Sequence, residues 1–377
     1  MSAPIVVIEH LDPQDLVPSG IDTIVNDVIQ FAPDREVSVV GITASDIPVG
    51  VWRRVSVGDR AIQFLPVARF DRRARRKLVP HSIRFIAGLF SHRVAIRSAL
   101  LGAEVHTHRL ETGQAAWLFG FGAPVQFIHN AAASLTGDNS DSVWRFAGPL
   151  YHALERAAVR GVRALVVFNR REAERLTVLA PGRCVSARTW YDPAVFRPMG
   201  ATQSIEKNGI VWVGRLEEQK NPLLAIDVAA ALRDRGFDAH LSMIGDGSLR
   251  PNVERAIERQ GLSDRVSLVG ALSREGVANE LQQSALLLMT SHYEGSPTAL
   301  IEALACGTKV VATTASDQDD LLTDSSRGAT APADVDALAS AVTEHYRTEI
   351  APDLAISSRA APIAVPRLLN QIDAIVR

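Results

Sequence analysis

Short apolar runs rich in Val, Ile and Leu alternate with longer amphipathic stretches along nearly the whole chain. Parallel strands covered by crossover helices give this pattern, so the sequence predicts an α/β protein. In the second half the alternation is regular, with strands at Ile210–Val213, His240–Ile244, Val266–Val269, Leu286–Met289 and Lys309–Ala312. Helical periodicity fills the intervals at Pro222–Arg235, Leu249–Gln260, Arg274–Gln283 and Pro297–Ala305, which predicts one doubly wound sheet. The first half is a looser version, with strands at Ile5–Ile8, Val37–Ile42, Val105–His108, Val125–Ile128 and Ala164–Val167 and helices at Ile21–Phe31 and Glu172–Leu179. Asp192-Pro193, Pro198, Gly200 and the polar run Thr202–Asn208 carry turn residues and no periodicity, so the expected boundary lies there. Residues 1–200 and 201–365 are then two Rossmann-like domains. Ligands of such sheets bind beyond the carboxyl ends of the strands, and two facing domains would hold the site in an interdomain cleft.

With 377 residues the chain is long enough for two cores. Its 47% hydrophobic and 22% charged content excludes a disordered chain or a fibre. Forty Lys and Arg against 42 Asp and Glu leave a formal charge of −2, so total charge points to no polyanionic partner and any basic surface must be local. Cys184 and Cys306 stand far apart, without the spacing of a disulfide framework or a zinc site, which fits a reducing cytoplasm. The start, Met1-Ser2-Ala3-Pro4 before Ile5–Ile8, lacks the pattern of a secretion signal. Gly113 to Leu135 contains no Lys, Arg, Asp or Glu, but Gly120, Gly122, Pro124, Gln126, His129 and Asn130 interrupt it, so a helix end, a turn and a strand are expected rather than a membrane span.

Candidate chemistry concentrates after the strand Leu286–Met289, in His292-Tyr293-Glu294-Gly295-Ser296-Pro297-Thr298-Ala299-Leu300-Ile301-Glu302. Ser296 suits an N-cap and Pro297 a first helical position, so a helix is expected to begin at the mouth of the sheet. The amides of Thr298 and Ala299 would then face outward at the positive end of the helix dipole, where a phosphate is favoured. Glu302, four residues after Thr298, shares its face and can accept hydrogen bonds from a ribose diol, and Glu294 and Gly295 lie in the approach loop. A capped amphipathic helix with solvated glutamates accounts for the segment equally well. Gly214-Arg215-Leu216-Glu217-Glu218-Gln219-Lys220 follows the first strand of the same half, placing Arg215 and Lys220 where they could neutralise a diphosphate or merely pair with Glu217 and Glu218.

These residues resemble a family. Gly214-Arg215-Leu216…Lys220, then Ile244-Gly245-Asp246-Gly247, then Val269-Gly270, then Glu294 with seven residues before Glu302, are similar to the ordered signature of the retaining GT-B glycosyltransferases of family 4, the glycosyl transferases group 1. The resemblance implies that Arg215 and Lys220 hold the diphosphate of a nucleotide sugar, GDP- or UDP-linked, that Glu294 contacts the transferred sugar and Glu302 the ribose, and that the backbone at Gly270-Ala271-Leu272 faces the base. Pro18-Ser19-Gly20-Ile21-Asp22 is similar to the family's Gly-rich loop after the first strand, and Phe127-Ile128-His129-Asn130 to its strand ending in a histidine near the sugar. Ser296, Lys309 and Ala315-Ser316-Asp317 depart from residues common in the family. The resemblance further implies a hexosyltransferase that needs no metal or other cofactor, acts on a glycan or lipid-linked acceptor in cell-envelope or exopolysaccharide synthesis, and returns the final helix, 366–377, to the first domain.

Other readings attach to single segments. Gly245-Asp246-Gly247 lacks the third glycine of a dinucleotide fingerprint and follows a second strand, so NAD is not expected. Asp317-Gln318-Asp319-Asp320 could ligate Mg²⁺ but reads better as a dipole complement at a helix start. His106 and His108 could face the cleft or be buried and satisfied. Between Arg69 and Arg97 stand Arg69, Arg72, Arg73, Arg75, Arg76, Lys77, Arg84, Arg93 and Arg97 against Asp71 alone, interleaved with Ile83, Phe85, Ile86, Leu89 and Phe90. That composition is compatible with peripheral docking on the inner face of an anionic membrane and equally with a solvated helix face packed on a sheet. No recognition fold supports nucleic acid. The rival classes are a non-catalytic GT-B protein that binds nucleotide or glycan, and a membrane-docking adaptor.

Overall fold

The structure is a computed structural model that describes residues 3–17, 19–72, 79–129, 148–199, 207–295, 297–316, 321–346 and 354–376. It divides into two compact units, described separately. The first contains the described residues up to 129 together with Gly148–Ala187 and the final helix, and the second contains the described residues from Arg188 to Ala361. The division falls at Ala187 because Tyr191 and Phe196 are buried in an apolar cluster of the second unit.

In the first unit β1 (Ile5–Ile8), β2 (Val37–Thr43), β3 (Arg53–Val57), β4 (Arg60–Arg69), β5 (Glu104–Thr107), β6 (Val125–Ile128), β7 (Ala164–Val167) and β8 (Cys184–Ser186) form one sheet. Its order is β3-β4-β2-β1-β5-β6-β7-β8. All neighbours are parallel except β3 and β4, a hairpin turning at Gly58-Asp59. Five predicted strands are present; the hairpin and β8 are additional, and the alternation in Arg53–Val57 was the legible signal for the hairpin. Helices α1 (Gly20–Phe31), α2 (His81–Ser91), α3 (Arg93–Ala99), α4 (Leu110–Leu118), α5 (Gly148–Gly161) and α6 (Arg170–Leu179) connect the strands. The described part of the uncharged run, residues 113–129, comprises the end of α4, a turn and β6.

The second unit carries β9 (Ile210–Val213), β10 (Leu241–Ile244), β11 (Val266–Gly270), β12 (Leu286–Met289), β13 (Lys309–Thr313) and β14 (Gly328–Ala331), all parallel, in the order β11-β10-β9-β12-β13-β14. Counted within the unit this is 3-2-1-4-5-6, the doubly wound arrangement whose direction of winding reverses between β9 and β12. Helices α7 (Pro222–Asp234), α8 (Arg250–Arg259), α9 (Arg274–Gln283), α10 (Thr298–Ala305) and α11 (Val335–His345) cover it, followed by a short α12 (Leu354–Ser357). One face buries Trp212, Met243 and Leu288 under α7, α8 and α11; the other buries Val211, Leu287 and Val310 under α9 and α10.

The last helix, α13 (Ala361–Val376), begins five residues before the expected Pro366, which lies inside it. It belongs to the first unit, where Asp373 pairs with Arg35 at 3.3 Å and the Val376 carbonyl accepts from Arg163 at 3.0 Å.

Candidate functional site

The β9–β12 switch point gathers three of the four side chains expected to do the chemistry. After β9 the chain turns through Gly214 and an exposed Arg215 into the single 3-10 turn Glu218–Lys220. Asn221 closes that turn in the left-handed region, φ 47°, which Asn tolerates better than most residues, and Pro222 opens α7. After β12, Thr290 anchors the neighbouring loop. Its Oγ1 accepts from Trp212 Nε1 at 3.0 Å and lies 3.0 and 2.9 Å from the carbonyl oxygens of Lys220 and Asn221. The two loops are further tied where the His292 amide donates to the Gln219 carbonyl at 2.9 Å and the Gln219 amide to the Tyr293 carbonyl at 3.3 Å.

Within this frame Lys220 Nζ and Glu294 Oε1 form an ion pair of 2.5 Å. Glu294 is buried and also accepts from Ser291 Oγ at 2.6 Å, while Lys220 keeps part of its surface open. Arg215 donates to Gln219 Oε1 at 3.2 Å. Glu217, a rival partner for the cations at the sequence level, is instead held by the amide and hydroxyl of Ser248. The site is thus Lys220 paired with a carboxylate on the next strand's loop, with Arg215 on the same loop as Lys220.

α10 follows directly, with a correction. The helix starts at Thr298, its N-cap is Pro297, and no side chain caps it; proline has no side-chain acceptor to offer. Ser296, assigned as the cap, lies outside the described residues, as do Pro18, Asn130, Asp317–Asp320 and 73–78. From Ala299 to Ala305 every residue of α10 is buried, and Glu302 is its only charge. Gly295 is buried in the approach loop, and Thr298 stands one turn before Glu302. Lys207 closes the far end, donating to the carbonyls of Cys306 and Gly307 at 3.0 and 2.6 Å; burial draws its ammonium down to about 8.

Gly245, at the end of β10, sits next to this site because it packs on it. A Cβ there would stand 1.8 Å from the Gly214 carbonyl oxygen, and its φ is 133°, so only glycine fits. It is a tight backbone crossing between the ends of β9 and β10. Gly270 ends β11 at the sheet edge, two strands from β9, and Ala271, exposed, and Leu272 follow it.

Two expected site residues belong to the first unit. Gly20 opens α1 after Ser19, whose hydroxyl accepts from the Asp22 amide at 3.1 Å, and nothing lies within 4 Å of where a Gly20 Cβ would stand. Asp22 is gripped by both terminal nitrogens of Arg72, at 2.6 and 2.9 Å. His129, at the end of β6, shares a 2.9 Å hydrogen bond with His108, its Nε2 to Nδ1, and stacks on Phe168. Burial, and then the neighbouring charges, push both rings well below the ordinary histidine range, so both are neutral near pH 7 and one donates to the other. His106 is buried beside Glu104 at 2.6 Å.

Sequence reasoning missed Glu9 and His10, a polar pair directly beyond the apolar strand β1. Glu9 is buried and accepts from Arg109 Nε at 2.8 Å; desolvation raises its pKa, but Arg109 and His10 outweigh it and hold the carboxyl below its usual range. Among the described residues there is no group of three or more His, Cys, Asp or Glu able to hold a metal ion, and no helix long and apolar enough to cross a membrane.

Residues 207–348 match the family described as glycosyl transferases group 1. Relatives include an alpha-D-kanosaminyltransferase of Streptomyces kanamyceticus, 27% identical over 62% of this chain and 64% of the relative. A D-inositol 3-phosphate glycosyltransferase of Mycolicibacterium paratuberculosis is 28% identical over 68% of this chain and 61% of the relative. The chain therefore spans less than two thirds of the length of these relatives. Sucrose-phosphate synthase from Thermosynechococcus elongatus shares the fold with a TM-score of 0.72 at 17% identity, covering 100% of this chain and 95% of the other. The Anabaena protein HepE, solved with UDP and glucose, gives 0.72 at 15% identity over 99% of both chains. Residues 207–348, within the second unit, are thus similar to the glycosyl transferases group 1, and the chain, with its two parallel-sheet α/β domains, has the GT-B fold.

Proposed function

We propose that the protein is a retaining glycosyltransferase that moves a hexose from a nucleoside diphosphate sugar, UDP- or GDP-linked, to a hydroxyl of a glycan or lipid-linked acceptor. The observation that carries this reading is the Lys220–Glu294 ion pair at the switch point, with Arg215 beside it and the start of α10 next in the chain. Departure of the diphosphate places negative charge on its oxygens and oxocarbenium character on the sugar. Arg215, Lys220 and the first amides of α10 are placed to stabilise that charge, the electrostatic preorganisation that is usually the largest catalytic contribution. Two fixed cations supply the neutralisation, so the reading requires no metal.

Glu294, paired with Lys220, orients the sugar; Glu302 takes the ribose hydroxyls; Gly270, Ala271 and Leu272 border the base. His129 serves the sugar. The acceptor oxygen bonds to the anomeric carbon on the face that the diphosphate leaves, the old carbon–oxygen bond breaks, and the departing phosphate takes the acceptor's proton. The first unit supplies the acceptor side. Two structural neighbours, HepE solved with UDP and glucose and the lipopolysaccharide outer core galactosyltransferase WaaB, support a UDP-sugar donor and a role in envelope synthesis.

A thermal-shift panel of UDP-, GDP- and ADP-sugars tests the donor, since only a ligand of the native state raises the Tm. One nucleotide class should stand out, and Glu302→Ala should weaken binding of its free nucleotide, whereas Glu294→Ala should spare that binding and damage transfer. No stabilisation by any nucleotide sugar, or identical behaviour of the two variants in calorimetric titration, overturns the reading.

A further inference from the structure

The segment 79–101 contains Arg84, Arg93 and Arg97 and not one Asp or Glu. It folds as α2 and α3, joined at His92. The His92 amide donates to the Gly88 carbonyl at 3.0 Å and its carbonyl accepts from Ile96 at 3.1 Å, so i to i−4 bonding continues on both sides of the joint. Phe85, Leu89 and Ile96 are buried in the core of the first unit, and α2 lies so close to the sheet that a Cβ on Gly88 would stand 2.3 Å from the Val67 carbonyl oxygen. At about 100° per residue these positions share one side of the helix.

Ile83, Ala87, Phe90 and Val94 follow the spacing i, i+4, i+7, i+11 and fall on the opposite side. They are exposed, Val94 by 76%. Leu101, 87% exposed, and Leu118 extend the apolar surface: Phe119, next to Leu118, holds its ring 5.4 Å from Phe90, and its carbonyl accepts from Arg97 at 2.6 Å. A helix pair that has already buried one apolar face and still presents another needs something to cover it.

The cations indicate what. On the same angular reckoning Arg84 borders one flank of the stripe and Arg93 and Arg97 the other. Arg93 sits over the Phe90 ring at 4.5 Å and Arg84 over the Phe70 ring at 4.8 Å, and among the described residues none of the three has an ion pair with a carboxylate. Arg69 and Arg72 are already committed to Asp46 and Asp22, so among the described residues of the basic segment the arginines without a carboxylate partner are those of α2 and α3. The geometry points to α2 and α3 as a docking face for an anionic lipid bilayer, the stripe entering the acyl boundary and the guanidinium groups meeting the phosphates.

The test is flotation of the full chain with neutral phosphatidylcholine vesicles and with vesicles containing 30% phosphatidylglycerol. Binding should require the anionic lipid and fall with added salt. Replacing Arg84, Arg93 and Arg97 together by Gln should cut partitioning by roughly fivefold per arginine. Phe90→Ser and Val94→Ser, at exposed positions, should each cost about tenfold with Tm unchanged. Equal binding to both vesicle types, loss with the Arg variant but not with the Ser variants, or a wild-type dimer that Phe90→Ser disperses would each overturn the proposal; the last would make the face a contact between copies of this chain. The wild-type lipid and salt dependence decides the matter even where a variant fails to fold.

Discussion

The two sheets carry charge at corresponding places and treat it oppositely. In the first unit Glu9 turns inward beyond β1 to pair with Arg109, and at the opposite, amino end of the sheet Arg35 pairs with Glu104, both of these last two side chains almost fully buried. In the second unit the residues beyond β9 and β12 stay within reach of solvent, with Arg215 exposed and Lys220 half-buried against Glu294. The difference separates charge enclosed in a fold from charge left within reach of solvent, and Glu9 and Lys220 show it at the same place, the carboxyl end of a parallel sheet.

The sharpest way to break that contrast is to delete one cation from each unit. Arg35→Ala should destabilise the protein by about 3–5 kcal/mol, because Glu104 would be left buried with only His106, and chemical denaturation reads this directly. Lys220→Ala should lower turnover by about 100- to 1,000-fold and leave Tm within a few degrees of wild type. Comparable Tm losses in the two variants would erase the distinction.

Acid should find the first unit before the second. Burial lowers His10 to about 3 and holds His108 and His129 well below the ordinary range, so below pH 6.5 the unfolded chain takes up protons that the folded one refuses. Stability therefore falls as pH drops from about 6.5, by roughly 1.4 kcal/mol per pH unit for each ring, until for His10 it levels near 3. A Tm that stays flat between pH 7 and 5 contradicts this, and His10→Phe should shallow the slope. The smallest expected effect is none at all: a chelator should leave transfer unchanged, and a strong loss would return attention to Asp317–Asp320.

How much of this was legible follows from where the signal lives. Regular alternation in the second half gave its first five strands, because parallel buried strands read as continuous apolar runs with helices between. The hairpin Arg53–Val57 and Arg60–Arg69 was passed over because it breaks that alternation with no helix between its strands. Arg215, Lys220 and Glu294 were legible because charged residues directly after a strand sit at its carboxyl end. Thr290 was not, since its value lies in spanning two loops from neighbouring strands, and no local pattern encodes β9 beside β12. Glu9 and His10 carried the same strand-end signal as Arg215 but lacked a motif to draw notice.

Arg35 has one more implication. Its guanidinium donates to the Ala3 carbonyl at 2.7 Å and reaches Asp373 in α13, so residues 370 positions apart meet on one side chain. The first unit is therefore interrupted in the chain: its last helix follows the whole of Arg188–Ala361, so no single cut separates the two units intact.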